Sequence, residues 1–303
     1  MSERNVSIVI PTYKRLYTIK ETIDSYLDQE YVKEIIYVDD GGTDGLSEFI
    51  SEYKQNEDTK GIDIIYVCHE NNKGAAAARN TGVNHSSGYY VLFGEDDAYL
   101  GTSYVKCLRS MLENSQYEDD IVSGQIIMLK EKETTEEALQ KYLESETSID
   151  DVFEPSTMTL RLGLKLKKGM VSVPFTHALF MTKRSKLSSI KFDEYYFPGN
   201  GYREETDLQM NSYCQGHNAY IIDQVQCFHM ARSAVKVGGQ RKKRLVQYLY
   251  CIKYNYHFYE KYFSKFYLRQ GDKNRNVNLG HVTFSISLFF KMFIAPLKKV
   301  FFK

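Results

Sequence analysis

Through the first hundred residues, short apolar and β-branched runs alternate with stretches whose apolar positions recur every three or four residues. That alternation predicts βαβ units and a mostly parallel sheet flanked by helices, the α/β class. Residues 6–10, 35–38, 62–67 and 89–93 read as four strands, the first stopping at Pro11. Ile19, Ile23, Tyr26 and Leu27 share one helical face behind the capping pattern Thr18-Ile19-Lys20-Glu21. Leu46, Phe49, Ile50 and Tyr53 repeat at helical spacing, and the alanines after Gly74 favour a third helix.

In open α/β sheets the ligand crevice lies beyond the carboxyl ends of the strands. Thr12, Asp39 and Asp40, and Glu95 to Asp97 all fall at such ends, so three of them deliver polar groups to one rim. Any one alone is equally an ordinary turn or cap residue. Residues 130–151 turn charged and polar, a solvated helix or loop without evident chemistry. Order returns over 170–182, and the acidic passage 192–207 leads into a helix ending at Gly216. From Arg241 to Arg269 the chain is basic and rich in Tyr and Phe, and a polar linker separates this from an apolar C-terminal stretch.

With 303 residues and 43% hydrophobic content, the chain can bury a large core, as one domain or a domain with appendages. A disordered or fibrous protein is excluded. Five cysteines, odd in number and without a CxxC pair, suggest neither a disulfide framework nor a zinc site and point to a reducing compartment. The first apolar run is too short for a signal peptide, so a cytoplasmic location is expected. The zero net charge hides an asymmetry. From Met230 onward 16 Lys and Arg stand against two acids, Glu260 and Asp272, giving +14 there and −14 in the rest. A basic tail on an acidic body predicts an anionic partner, either a membrane surface or nucleic acid.

The acidic turn Gly94-Glu95-Asp96-Asp97 suits a hard divalent cation, because such ions take carboxylate oxygens and stabilise a departing diphosphate. An acidic cluster alone is a weak signal, but it does not stand alone. Residues Ser7 to Arg15, the run Val38-Asp39-Asp40-Gly41-Gly42-Thr43-Asp44, Asn72-Lys73-Gly74 with Ala78-Arg79-Asn80-Thr81-Gly82, and Phe93 to Asp97 occur in order over residues 5–100. Together they resemble family 2 glycosyltransferases of the GT-A fold. A second region, Phe192 to Phe197 followed by Arg203-Glu204-Glu205-Thr206-Asp207, is similar to that family's acidic helix start.

The resemblance implies an inverting transfer of a sugar from a nucleoside diphosphate, UDP by preference, to a hydroxyl acceptor in glycan, glycolipid or cell-surface polysaccharide assembly. It places Pro11, Thr12, Tyr13, Asp40, Gly74, Arg79 and Asp96 at the nucleotide, with Asp40 accepting from the ring N–H of uracil. Asp97 becomes the metal ligand for Mn²⁺ or Mg²⁺, with His229 completing the shell and Glu95, where the commoner motif has Asp, left open. Glu205 becomes the general base, and Lys236 or Arg241 a diphosphate contact. Bland readings stay open beside these: acids at a helix start favour the dipole, and a lone histidine is often structural. A sugar-nucleotide or glycan-binding module without catalysis is the alternative function. No GxGxxG follows the first strand, which argues against a dehydrogenase.

The implied organisation is a GT-A catalytic domain over 1–240, with a nucleotide half (1–125) and an acceptor half (126–240), followed by a helical extension over 241–303. Residues 282–295 are apolar but interrupted by Lys291, and shorter than the roughly 20 residues of a spanning helix. They predict a segment lying in the interface of the inner membrane face, with an oligomer contact or a packed helix as alternatives. A nucleotide-sugar donor and a glycan or lipid-linked acceptor are the expected partners, and no nucleic acid is.

Overall fold

The computed structural model describes residues 3–199, 201–237 and 243–295. The elements alternate as expected at first: β1 (Val6–Thr12), α1 (Leu16–Leu27), β2 (Val32–Asp39), α2 (Leu46–Asn56), β3 (Asp63–Cys68), α3 (Ala75–His85) and β4 (Tyr90–Phe93). Then come β5 (Ala98–Leu100), α4 (Tyr104–Leu112), β6 (Ile121–Met128) and α5 (Thr135–Glu144). Four two-residue strands follow: β7 (Ser148–Ile149), β8 (Phe153–Glu154), β9 (Thr159–Leu160) and β10 (Lys165–Leu166). The rest is β11 (Met170–Val173), β12 (Met181–Lys183), α6 (Glu204–Cys214), β13 (Ala219–His229), α7 (Arg244–Arg269) and α8 (Val277–Phe289), the last continuing as a wider turn to Ile294.

The main sheet runs β11-β13-β6-β12-β4-β1-β2-β3, with β5 pairing the end of β13. The β4-β1-β2-β3 half is parallel throughout, as the βαβ pattern predicts. Its strands are apolar on both faces because helices cover both. Ile8, Ile10, Ile35 and Tyr37 enter one core with α1, while Val9, Ile36 and Val38 enter the other with α3. The alanine-rich α3 approaches the sheet closely: a Cβ on Gly82 would fall 2.3 Å from a methyl of Val9. The sheet is completed in mixed directions, since β12 is antiparallel to both β4 and β6. The expected boundary at 125/126 falls inside β6, and the one at 240/241 lies outside the described residues.

The capping box expected at Thr18 is not formed. The helix begins at Leu16, whose N–H donates to Asp44 Oδ2 at 2.8 Å, and Thr18 lies in its first turn with its hydroxyl on Arg15 O. A distant side chain thus sets the helix start that a local motif was expected to set. The polar stretch after Lys130 does carry a capping box, Thr134 with Glu137, opening α5. The aromatic segment after Lys243 is one 26-residue helix, α7, whose Phe258, Tyr262 and Phe266 share a core with Met210 and Tyr213 of α6 and Phe284 of α8. The C-terminal apolar helix starts five residues before the expected 282, so that with its final turn Val277–Ile294 reaches 18 residues and is long and apolar enough to cross a membrane. It buries only 11% of those residues within the chain.

Candidate active site

The acidic turn leaves β4 at Phe93 and is pinned at once. Tyr26 of α1, fully buried, donates its hydroxyl to Glu95 O at 2.8 Å and accepts from Glu95 N at 3.1 Å. Beyond the turn, β5 pairs antiparallel with the end of β13, setting Ala98 opposite His229, while Met230 N donates to Asp97 O at 2.9 Å. This pairing brings together residues 131 positions apart in sequence. His229 Nε2 lies 3.3 Å from Asp97 Oδ1 and 3.8 Å from Glu95 Oε2. One ligand atom from each of Glu95, Asp97 and His229 lies within 4.8 Å of the others. His229 Nδ1 faces Met230 O at 3.3 Å, a contact that leaves the other ring nitrogen facing the two carboxylates.

The donor set, two carboxylates and an imidazole, fits Mn²⁺ or Mg²⁺. Its electrostatics agree. Burial pushes the Glu95 carboxyl up to about 7, with repulsion from Asp97 and Glu205 adding to the shift against the pull of His229 and Arg79. Burial likewise raises Asp96 to about 6, opposed by Arg15. Burial works against a charged His229, yet Glu95 and Asp97 outweigh it and its pKa is raised. A divalent cation would relieve this crowding of buried acids.

Arg15 was quoted within the first motif without a role, and it holds two acids of the turn. Its Nη1 reaches Asp96 Oδ1 at 2.7 Å and Asp97 Oδ2 at 2.9 Å, and its Nε donates to Val237 O at 3.0 Å. The preceding residue packs on α1: Lys236 N donates to Tyr17 OH, and the Lys236 ammonium sits 5.7 Å from the Tyr17 ring centre. Lys236 therefore stands at the rim beside Arg15. Arg241 lies outside the described residues.

On the nucleotide side, Thr12 pairs in register with Asp39, and the ring of Tyr13 lies against Gly41. Pro11 is the preceding residue of β1, beside Val38. The Asp40 carboxylate is heavily engaged: Oδ1 accepts from His69 Nδ1 and Lys73 N, each at 2.8 Å, and Oδ2 from Gly74 N at 2.7 Å. A carboxylate offers about four acceptor sites, so one remains for a ring N–H. Gly74 sits at φ +92°, and a Cβ there would fall 2.8 Å from Phe197. Gly74→Ala is expected to destabilise the fold by about 1–3 kcal/mol through left-handed strain and this clash, read as a lowered urea midpoint.

Arg79 of α3 reaches the start of α6. Its Nη1 donates to Glu204 and its Nη2 to Glu205 Oε1 at 3.0 Å, with the guanidinium 5.5 Å from the Phe192 ring centre. Glu204 is 5% exposed at its side chain, whereas Glu205 is 26% exposed. Burial pushes Glu204 up to about 8, Arg79 opposing and Glu205 adding. Glu205 adds to the rise of Glu95 while Arg79 opposes it, so the acidic turn and the acidic helix start lie near one another.

The start of α6 is held from behind by α7. Arg203, at φ +77°, donates to Thr157 O, Met158 O and Asn255 Oδ1, and its guanidinium lies 4.6 Å from the Phe258 ring centre. Asp207 accepts from Lys261 Nζ at 2.6 Å and from the hydroxyls of Tyr196 and Tyr262. Lys261 also reaches Asp193 at 2.8 Å, beside His257. Against the effect of burial, hydrogen bonds from His257 and Lys261 draw Asp193 down to about 2. The second acid cluster, Asp193, Asp207 and His257, thus has its cation in Lys261 and serves as a brace for α6.

A doubly wound sheet with its acids at the strand ends, facing a carboxylate-bearing helix across a cleft, defines a glycosyltransferase of the GT-A type. Residues 7–188 match the family model of glycosyl transferase family 2, and the chain belongs to that family. It is 33% identical over 129 residues to glycosyltransferase GlyA of Streptococcus pneumoniae, covering 42% of this chain and 18% of that one. It is 36% identical over 112 residues to the putative teichuronic acid biosynthesis glycosyltransferase TuaG of Bacillus subtilis, covering 36% and 43%. The chain thus spans less than half the length of either relative. Among solved structures, S. aureus TarS 1–349 in complex with UDP-GlcNAc matches with a TM-score of 0.59 at 14% identity, over 95% of this chain and 73% of that one. GalNAc-T7 with UDP, GalNAc and Mn²⁺ matches with a TM-score of 0.64 at 13% identity, over 98% and 58%. At these identities the structures attest the fold.

Proposed function

We propose that this glycosyltransferase moves a sugar from a UDP-sugar to a hydroxyl of a cell-surface polysaccharide or glycolipid, with inversion and with a divalent cation. The observation that carries the reading is the closeness of two acidic centres: Glu95, Asp97 and His229 at the end of the sheet, and Glu205 at the start of α6, held by Arg79. Asp97 and His229 would hold the cation, with Glu95 beside them, and the ion would neutralise the charge gathering on the departing diphosphate. Thr12 and Asp40 frame the base, Asp40 through its remaining acceptor site. Asp96 would contact the ribose through the oxygen that Arg15 leaves free. Glu205 takes the proton of the acceptor hydroxyl as its oxygen bonds to the anomeric carbon and the bond to the diphosphate breaks. A single displacement of this kind inverts the anomeric centre. Support for the donor comes from TarS and GalNAc-T7, whose structures hold UDP-GlcNAc and UDP. Support for the acceptor class comes from TuaG and from a Bacillus spizizenii poly(ribitol-phosphate) β-glucosyltransferase, 26% identical over 211 residues.

A panel of UDP-sugars assayed for UDP release with Mn²⁺, and again with EDTA, tests the proposal. Turnover of one donor, lost in EDTA and restored by Mn²⁺, is expected. Turnover that is indifferent to EDTA, or a product retaining the donor's anomeric configuration by NMR, would overturn the corresponding part.

A further inference from the structure

The reaction leaves one prominent feature of the chain unused. Leu279, Val282, Ile286, Phe289 and Phe290 of the last helix are all exposed, Ile286 at 54% and Phe290 at 56%. Their spacing of three and four residues makes one stripe along the helix. The opposite side is already occupied, since Gly280 lies on Phe263, Phe284 is buried in the core with Tyr259, and His281 stacks on Tyr256 at 4.4 Å. Tyr248 of α7 packs against Phe289 and Phe293, and Leu245 and Leu249 beside it are exposed at 60% and 57%. The apolar stripe therefore continues onto α7, giving a two-helix patch that stands exposed among the described residues.

We infer that this α7–α8 face docks flat on an anionic lipid surface. Charge selects that occupant. The patch is bordered by the exposed Lys243 and Arg244 at the start of α7 and by the exposed Lys291 in the last turn of the other helix, which carries no acid. A second copy of the chain would set this basic border against itself, whereas anionic headgroups complement it. Length and apolarity alone would also allow a spanning helix. Spanning would strip Phe284 from the core, and with it one ring beside the Arg203 guanidinium, 5.6 Å from its centre. The helix lies in the interface with its outer stripe in the acyl boundary.

Co-sedimentation of the full chain with phosphatidylcholine vesicles, with and without phosphatidylglycerol, reads the inference directly. Binding is expected only with phosphatidylglycerol, weakening as salt rises. The double variant Ile286→Glu/Phe290→Glu is expected to lower partitioning on the order of a hundredfold, with its melting temperature and UDP-sugar hydrolysis unchanged. Lys243→Glu/Arg244→Glu is expected to lower it on the order of tenfold. Equal binding to both vesicle types, or full binding by the Ile286→Glu/Phe290→Glu protein, would overturn it. So would a wild-type dimer that the apolar variant dissolves, marking a self-interface, or resistance to alkaline extraction, marking a spanning helix.

Discussion

Asp97→Asn is expected to lower kcat for sugar transfer by at least about a thousandfold and to abolish its stimulation by Mn²⁺. The substitution keeps the shape of the side chain and removes its charge. Asp97 is the acid nearest His229, at 3.3 Å, and its other oxygen is held at 2.9 Å by Arg15. Its carbonyl is fixed by Met230 N, so the backbone of the turn does not depend on the carboxylate. The thermal midpoint of the variant should therefore stay close to that of the wild type while its affinity for Mn²⁺, measured by titration calorimetry, collapses. Glu95→Gln is the internal comparison. Glu95 is farther from His229, at 3.8 Å, and is drawn toward its neutral form by burial, so its loss should cost less affinity. Wild-type Mn²⁺ affinity and turnover in Asp97→Asn would remove the metal assignment from this turn.

The parallel half of the sheet was legible because its signal is local. Val6 to Ile10 and Ile35 to Val38 alternate between two cores, and each run is short, β-branched and closed by a turn. The strand ends then set Thr12, Asp40 and the acidic turn on one rim, as the topology of such sheets requires. What escaped is carried by contacts between distant residues. Asp44 opens the helix that Thr18 was expected to cap. Tyr26 clamps Glu95 from 69 positions away, and Arg79 reaches Glu204 across 125. No periodicity encodes such pairs, and the motif that suggests Arg79 for the donor phosphates is silent on its hold of Glu204 and Glu205. Lys261 and Asn255 show the same limit. In sequence they are two unremarked residues of a basic, Tyr-rich segment, and only the fold shows them gripping Asp207 and Arg203 on either side of Glu205.

That grip shapes the second large effect. Glu205→Gln is expected to lower kcat about a thousandfold while leaving the donor KM and Mn²⁺ affinity unchanged. Glu204 and Glu205 both sit in the first turn of α6, and their surroundings divide the roles. Glu204 is buried and bound by Arg79, a position in which its carboxylate anchors the helix start to α3. Glu205 shares Arg79 through one oxygen and keeps its second oxygen for the cleft, where its side chain is partly exposed. Arg203 and Asp207 are fixed by α7, so the loss of one proton acceptor at Glu205 should not displace the helix. Glutamine preserves the hydrogen bond from Arg79 and cannot take a proton, which separates basicity from position. The rate of transfer to the acceptor, followed in a single turnover with excess enzyme, isolates this step from product release. A Glu205→Gln enzyme that transfers at the wild-type rate would move the base elsewhere. A fall in Mn²⁺ affinity instead would mean that Glu205 acts through the charge it shares with Glu95 across the cleft.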